Sequence, residues 1–261
     1  MPSVELRLDL SRSLWENLGD YHERAKKLKR KIAKLEELIK NPPKREERGA
    51  EQSVQLLRKR RRDWYEKFRW AFTRNGLLVI AGRDARTNEI IVRKYLEDKD
   101  LFFHADVVGA PATVLKGGQD ATEDDILDAA VIAASYSRAW KAGWPSVDVF
   151  YVPPDQVSLA PPSGEFRPKG GVMVYGEKRW VRKVSLMLYF GYDSEKGRVF
   201  ASPHAVGVGG AVAVVPGDQD KSAVARKILA RLGLSDRKDL YDDLMAILPP
   251  GESKVLERAS Q

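Results

Sequence analysis

The sequence contains no cysteine, which removes thiol nucleophiles, disulfides and Cys-based zinc sites from consideration. Histidine is nearly absent as well: a three-histidine metal centre would need His22, His104 and His204 all to converge. No apolar run reaches the ~18–20 residues of a membrane-spanning helix. The stretch from Met1 to Leu10 lacks the positive head, apolar run and small-residue cleavage site of a signal peptide. The GxSxG, HExxH and P-loop spacings that mark established catalytic frameworks are missing too. These absences set the expectation of a cytoplasmic protein that is not an enzyme, with no membrane partner, metal or cofactor. Few Asn and Gln beside 31% charged residues point toward a thermophilic source.

What is present is a globular composition. Hydrophobic residues make up 43% and aromatic residues 9% of the 261, which excludes wholesale disorder. The length accommodates one large or two small domains. The net charge of +8 is unevenly placed: Glu23 to Arg69 holds 18 Lys/Arg against 8 Asp/Glu, a net of +10, which leaves −2 for the remainder. Such asymmetry implies a polyanionic partner.

That basic segment carries a heptad seam. Leu14, Leu18, Tyr21, Ala25, Leu28, Ile32, Leu35 and Ile39 recur in alternating steps of four and three, a helix of roughly 40 Å. Asn41-Pro42-Pro43 interrupts it, since proline lacks the N–H and clashes with the preceding turn. The seam resumes at Ala50, Val54, Leu57, Arg61, Trp64 and Phe68. Two heptad helices across a short break predict an antiparallel coiled-coil hairpin over residues 11–70. Arg58-Lys59-Arg60-Arg61-Arg62 repel one another by roughly 0.2–0.5 kcal/mol per i,i+4 pair, a cost that an anionic neighbour relieves. The alternative is a solvated coiled-coil surface. A membrane surface fits less well, because the apolar stripe is narrow and is used by the partner helix.

Beyond the hairpin, short apolar runs predict strands at Leu77–Ala81, Asp100–Ala105, Thr113–Leu115, Val147–Val152, Val172–Tyr175, Val184–Tyr192 and Ala211–Val215. A helix capped by Thr122 is expected to run to Gly143, with acidic residues at its positive end. Two further helices are expected at Asp220–Leu232 and Asp236–Leu248. The predicted class is α+β: residues 71–261 form a mainly antiparallel sheet domain with a central helix and two C-terminal helices, divided into a core of 71–192 and an extension of 193–261.

Four stretches place polar side chains beside glycine, where a backbone can approach a ligand. They are Gly82-Arg83-Asp84-Ala85 with Asn88-Glu89; His104-Ala105-Asp106 with Gly109-Ala110; Gln156-Val157-Ser158 leading to Ser163-Gly164-Glu165; and Lys169-Gly170-Gly171 followed by Tyr175-Gly176-Glu177-Lys178-Arg179. Taken singly, each also reads as an ordinary hydrogen-bonded turn. Together with Trp64 to Trp70 and Ser135-Tyr136-Ser137 with Ala139-Trp140, their order resembles the signature of the NFACT-R domain.

The resemblance covers most of the chain and implies a role in ribosome quality control. Members bind a stalled large ribosomal subunit carrying peptidyl-tRNA, recruit tRNA and support C-terminal tailing of the trapped peptide, without being hydrolases or ligases. Archaeal and bacterial members are similar to the eukaryotic nuclear export mediator factor. The family's N-terminal NFACT domain and helix-hairpin-helix region have no counterpart in this sequence, so the implied role is docking rather than tailing. Leu159 also departs from the pattern, where a basic residue is common.

The expected RNA contacts are Arg58, Lys59, Arg60, Arg62, Arg83, Asn88, His104, Gln156, Ser158, Lys169, Lys178 and Arg179, with Asp84, Glu89 and Asp106 orienting them. The expected partners are large-subunit ribosomal RNA, tRNA and ribosomal proteins. Two alternatives are a stand-alone nucleic-acid-binding or protein-binding adaptor, and a Mg-dependent nuclease using His104, Asp106, Asp84 and Glu89.

Overall fold

In the central strands apolar residues occupy both pleat faces, so the sheet they build must be covered on both sides. The computed structural model describes residues 62–160, 171–205 and 210–256, together with Tyr21, His22, Ala25, Lys26, Leu28, Lys29, Ile32, Ala33 and Glu36. The chain divides into two compact units, Met1–Lys59 and Arg60–Gln261.

In the first unit every described position is helical, in line with the first heptad helix. Three of its seam positions, Ala25, Leu28 and Ile32, are exposed, Leu28 by 58% and Ile32 by 53%. The seam positions Ala50, Val54, Leu57 and Arg61 lie outside the described residues, and with them the expected pairing of two helices. Its last two positions, Trp64 and Phe68, belong to the second unit. Trp64–Lys67 is a 3₁₀ turn and Arg69–Phe72 is a strand, so the heptad period ends before residue 64. Buried Tyr65 and Phe68 are drawn into the sheet's core instead.

The second unit contains a six-stranded antiparallel sheet in the order β1-β2-β4-β3-β5-β8. Its strands are β1 (Arg69–Phe72), β2 (Leu78–Ala81), β3 (Leu101–Ala105), β4 (Thr113–Leu115), β5 (Ser146–Val152) and β8 (Arg179–Ser185). Register aligns Trp70, Ile80, Val114, Phe102 and Val152 in one row across five strands. On the opposite face Ala71, Val79, Leu115 and Leu101 form the matching row. The first face is covered by the 3₁₀ turn and by α1 (Ala85–Lys94), which buries Ile91. The second is covered by α2 (Glu123–Ser135), whose Ala129, Ala130, Ala133 and Ala134 allow close approach to the strands. A small ribbon pairs β6 (Val157–Ser158) with β7 (Met173–Val174).

A four-stranded sheet, β10-β9-β11-β12, completes the unit. It consists of β9 (Leu188–Asp193), β10 (Arg198–Ser202), β11 (Val212–Gln219) and β12 (Ser253–Val255). The single strand expected at Val184–Tyr192 is therefore two, one in each sheet. The switch follows a bulge at Asp148, whose carboxylate accepts from Lys183 N (2.7 Å) and Arg182 Nη1 (2.8 Å). Lys183 takes a positive φ of 50°, and Leu186 N then donates to Pro145 O at 3.0 Å.

The central helix is also shorter than expected. Thr122 caps it as predicted, in a reciprocal box with Asp125. At its other end the Ser137 hydroxyl accepts from Ala139 N (3.1 Å) and opens a separate turn of helix, α3 (Arg138–Lys141). The two C-terminal helices, α4 (Lys221–Arg231) and α5 (Lys238–Ile247), fall where expected, and Asp220 caps the first. They join the same apolar cluster as α2. Tyr136 Oη donates to Ile247 O (2.6 Å), and Trp140 Nε1 donates to Ser253 Oγ (3.0 Å).

One buried ion pair fixes the 3₁₀ turn. Arg198 Nη1 donates to Glu66 Oε1 at 2.8 Å with both side chains buried, and its guanidinium lies 4.3 Å from the Trp70 ring centroid. Removing Glu66 leaves Arg198 with the more exposed carboxylates of Asp63 (3.2 Å) and Asp193 (3.7 Å). Glu66→Ala is expected to lower unfolding free energy by about 1–3 kcal/mol in urea titrations. The Glu66→Ala/Arg198→Met double variant should recover part of that loss; no recovery would refute the assignment.

Acid sensitivity has a distinct source. Burial raises the proton affinity of Asp125, but hydrogen bonds from Thr73, Thr122 and Asn75 outweigh it and hold the carboxyl at about 2, below the ordinary 3.8. The folded value is depressed, so the stabilisation is complete above the unfolded value and is lost as pH falls from 3.8 toward 2. Asp125→Asn should flatten the stability curve over that window, as read by thermal melts at graded pH.

Candidate nucleic-acid interface

The loop after β2 was expected to be a ligand-facing turn, yet its residues mostly build α1. Thr87, Ile90, Ile91 and Val92 are β-branched, which hides the helix from propensity. Asp84 declares it: its carboxylate accepts from Thr87 N (2.8 Å) and Thr87 Oγ1 (2.9 Å), and these bonds hold its pKa below the ordinary carboxylate value. Asn88 reaches back to bind the loop before β4, accepting from Ala112 N at 3.2 Å. A methyl group at Gly82 would lie 1.8 Å from Asn88 Oδ1, which is why the strand exit requires glycine.

These elements wall a cleft of about 480 Å³. Of the predicted contacts it brings together Arg83, Asn88 and His104, with Asp84 at its edge. It also brings in three residues that are not among the expected RNA contacts: Arg69, Tyr136 and Arg138. Gly109, at φ +83°, lets the Arg138 side chain lie across it: an added methyl group would sit 2.5 Å from Arg138 Nε. The sequence signal for this was the glycine after His104; what it admits is an arginine from α3.

Arg83 Nη2 donates to the carbonyls of Glu66 (3.2 Å) and Phe68 (3.0 Å), and Arg69 Nη1 to that of Tyr136 (3.3 Å). The Arg69 guanidinium also stacks 4.6 Å from the Tyr136 ring centroid. Burial lowers the pKa of both arginines and raises that of the Tyr136 phenol to about 12. His104 lies beside the rings of Phe102 and Phe150, with centroids at 6.5 and 5.7 Å. Burial depresses its pKa, and Lys178 acts in the same direction, against backbone hydrogen bonds at Ala105 and Ala110. These surroundings favour the neutral form of the imidazole.

His104, Val108 and Val172 are shared with a second groove of about 390 Å³, which also contains Asp106 and Lys178. Lys178 is exposed there, its Nζ 4.3 Å from the Phe150 ring centroid. The other predicted residues do not converge on the cleft. Gln156 braces the β6–β7 ribbon against Tyr175 and Gly176, and the Ser158 hydroxyl accepts from Ala160 N at 3.0 Å. Arg179 is exposed on β8, and Glu89 sits on α1 outside the lining. Arg62 pairs with Asp243 at 2.9 Å on the surface. Arg58, Lys59, Arg60 and Lys169 lie outside the described residues. Among the described residues no group of three or more acidic or histidine side chains is placed to hold a metal ion, and no helix is long and apolar enough to cross a membrane.

The family model of the NFACT protein RNA binding domain matches residues 67–176. The chain is an NFACT-R domain protein. It is 36% identical over 221 residues to the archaeal Rqc2 homolog aRqcH of Methanocaldococcus jannaschii, covering 81% of this chain and 32% of that one. It is 31% identical over 190 residues to the ribosome quality control complex subunit NEMF homolog of Drosophila melanogaster, covering 69% and 19%. It is 33% identical over 173 residues to the ribosome quality control complex subunit NEMF of Homo sapiens, covering 64% and 16%. The chain thus spans about a third of the archaeal relative's length and less than a fifth of each animal relative's.

The close approach at Gly82 is testable. Gly82→Ala should displace the Asn88 amide and lower stability by about 1–3 kcal/mol in urea unfolding. Because both changes break the same Asn88–Ala112 link, the Gly82→Ala/Asn88→Ala double variant should cost less than the sum of the singles. Strict additivity would show that the contact is not the cause.

Proposed function

We propose that the protein is a non-catalytic, cytoplasmic RNA-binding factor of ribosome quality control that docks on the large ribosomal subunit, tRNA or both. One observation carries this: every residue lining the cationic cleft lies within the 67–176 span that matches the RNA binding domain of NFACT proteins. The relatives' own names supply the setting, since each is a Rqc2 homologue or a ribosome quality control subunit. The +10 segment from Glu23 to Arg69 supplies further phosphate contacts, Arg58, Lys59, Arg60 and Arg62 among them. Within the second unit Arg83, Asn88, His104 and Lys178 face RNA, with Arg69 and Arg138 added. Asp84 and Asp106 orient them.

A nuclease reading is poorly served by the same geometry. Asp84 is committed to its helix cap and His104 is packed against aromatic rings, so neither is poised as a general base or a metal ligand.

The test is co-sedimentation of the protein with ribosomal subunits at graded salt, followed by sequencing of the bound RNA. Association should fall with salt at a log–log slope of about −0.7 to −0.9 per neutralised phosphate, and bound RNA should remain uncut. Absence from both the large subunit and tRNA overturns the reading, as does association that resists salt and RNase.

A further inference from the structure

Four described arginines are buried or half-buried, and two of them are neutralised: Arg198 pairs with Glu66 at 2.8 Å, and Arg237 pairs with Asp239 at 2.8 Å. Arg69 and Arg83 are different. Neither forms an ion pair with a carboxylate among the described residues; each donates to backbone carbonyls instead, and the Nε of each is buried without an acceptor, as is that of Arg198. A third cation adds to them: Lys221 Nζ donates to Leu248 O at 3.2 Å, and burial, then the charge of Arg69, lowers its pKa. The cleft lining holds one carboxylate, Asp84, which Thr87 already occupies, against Arg69, Arg83 and Arg138.

Cations gathered without counter-charge in a concave site create a focused positive potential. The lining also includes Gly109, Ala110, Pro111 and Ala112, whose small side chains leave the recess open, although the N–H groups of Ala110 and Ala112 are already bonded to Val107 O and Asn88 Oδ1. Guanidinium forks match the oxygens of a phosphate. The phosphates of a duplex lie on the outside of a rod and present no single group to a recess, whereas an unpaired strand can insert one.

We propose that this cleft is a phosphate pocket that takes one phosphate of an unpaired RNA strand between Arg69, Arg83 and Arg138, with the adjoining nucleotide lying along the His104–Lys178 groove. The inference rests on the RNA-binding reading above and names the ligand of that site. The phosphate is either an internal phosphodiester or a strand-terminal monoester.

The test uses the full chain. Thermal unfolding is compared in sodium phosphate and in sodium chloride at equal ionic strength, for the wild type, Arg69→Gln, Arg138→Gln and the surface control Arg226→Gln. Phosphate should raise the melting temperature of the wild type and the control, and do so less or not at all in the two cleft variants. Arg138 is exposed, so its variant tests the pocket without putting folding at stake.

Binding is then measured with a short single-stranded RNA carrying a 5′-phosphate or a 5′-hydroxyl, with a methylphosphonate-substituted strand, and with the matching duplex. The cleft variants should weaken single-strand binding about tenfold or more and change duplex binding less. A preference for the 5′-phosphate assigns a strand end; equal affinities with loss on methylphosphonate substitution assign an internal phosphodiester. Single-strand binding that both cleft variants leave unchanged overturns the pocket while the RNA-binding reading stands. Phosphate stabilisation through Arg69 with no RNA binding overturns that reading and the ligand named here.

Discussion

The buried guanidinium of Arg198 is the contact on which the site's geometry depends. It comes from the second sheet and holds Glu66, which lies in the 3₁₀ turn before the first sheet begins. With that turn fixed, the carbonyls of Glu66 and Phe68 point at Arg83, and the cleft acquires one of its cationic walls. A charge buried in one sheet thus sets the position of a charge in the other. Such a pair contributes little net stability after desolvation, and its value lies in specifying one arrangement of the turn.

The cleft itself is a product of covering a sheet on both faces. α1 lies over one face and the 3₁₀ turn beside it, while α2 and its continuation α3 lie over the other. Arg69 on β1, Arg83 before α1 and Arg138 on α3 come from three different elements, and they meet where those elements end. Polar side chains collect there because chain ends leave backbone carbonyls and N–H groups that need partners.

Much of this was legible in the sequence, for identifiable reasons. Strands β2, β3, β4 and β5 announce themselves as short apolar runs, and Thr122 announces α2 by its capping chemistry. The helix α1 was hidden because its β-branched residues favour strand by propensity, while the cap that decides the matter, Asp84, was read as a ligand-orienting group. β8 and β9 merged into one strand, because a backbone switch between sheets leaves no compositional mark beyond Asp148. Three residues from the ordered glycine-flanked stretches, Arg83, Asn88 and His104, line one cleft. That Arg69 lines the cleft is not legible, because nothing in a linear sequence tells an arginine bonded to a carbonyl from one paired with an acid, and Arg138 enters only through the fold that lays it across Gly109. Gln156 and Ser158 lie on the β6–β7 ribbon, away from the cleft, where they also make the local hydrogen bonds usual for polar residues in a turn.

Tyr136 ties the cleft to the far end of the chain. Its ring lies beneath Arg69, while its hydroxyl donates to the last turn of α5. Trp140, one turn further on, is anchored by Ser253 on β12 in the same way. The matched family span stops at residue 176, but the floor under the arginines is held by residues beyond 240. A folded unit that keeps these two bonds extends well past the boundary of the matched span. A protein trimmed to that boundary would expose the apolar face of α2 and leave a buried phenol without its acceptor, losing the recess before any arginine was touched.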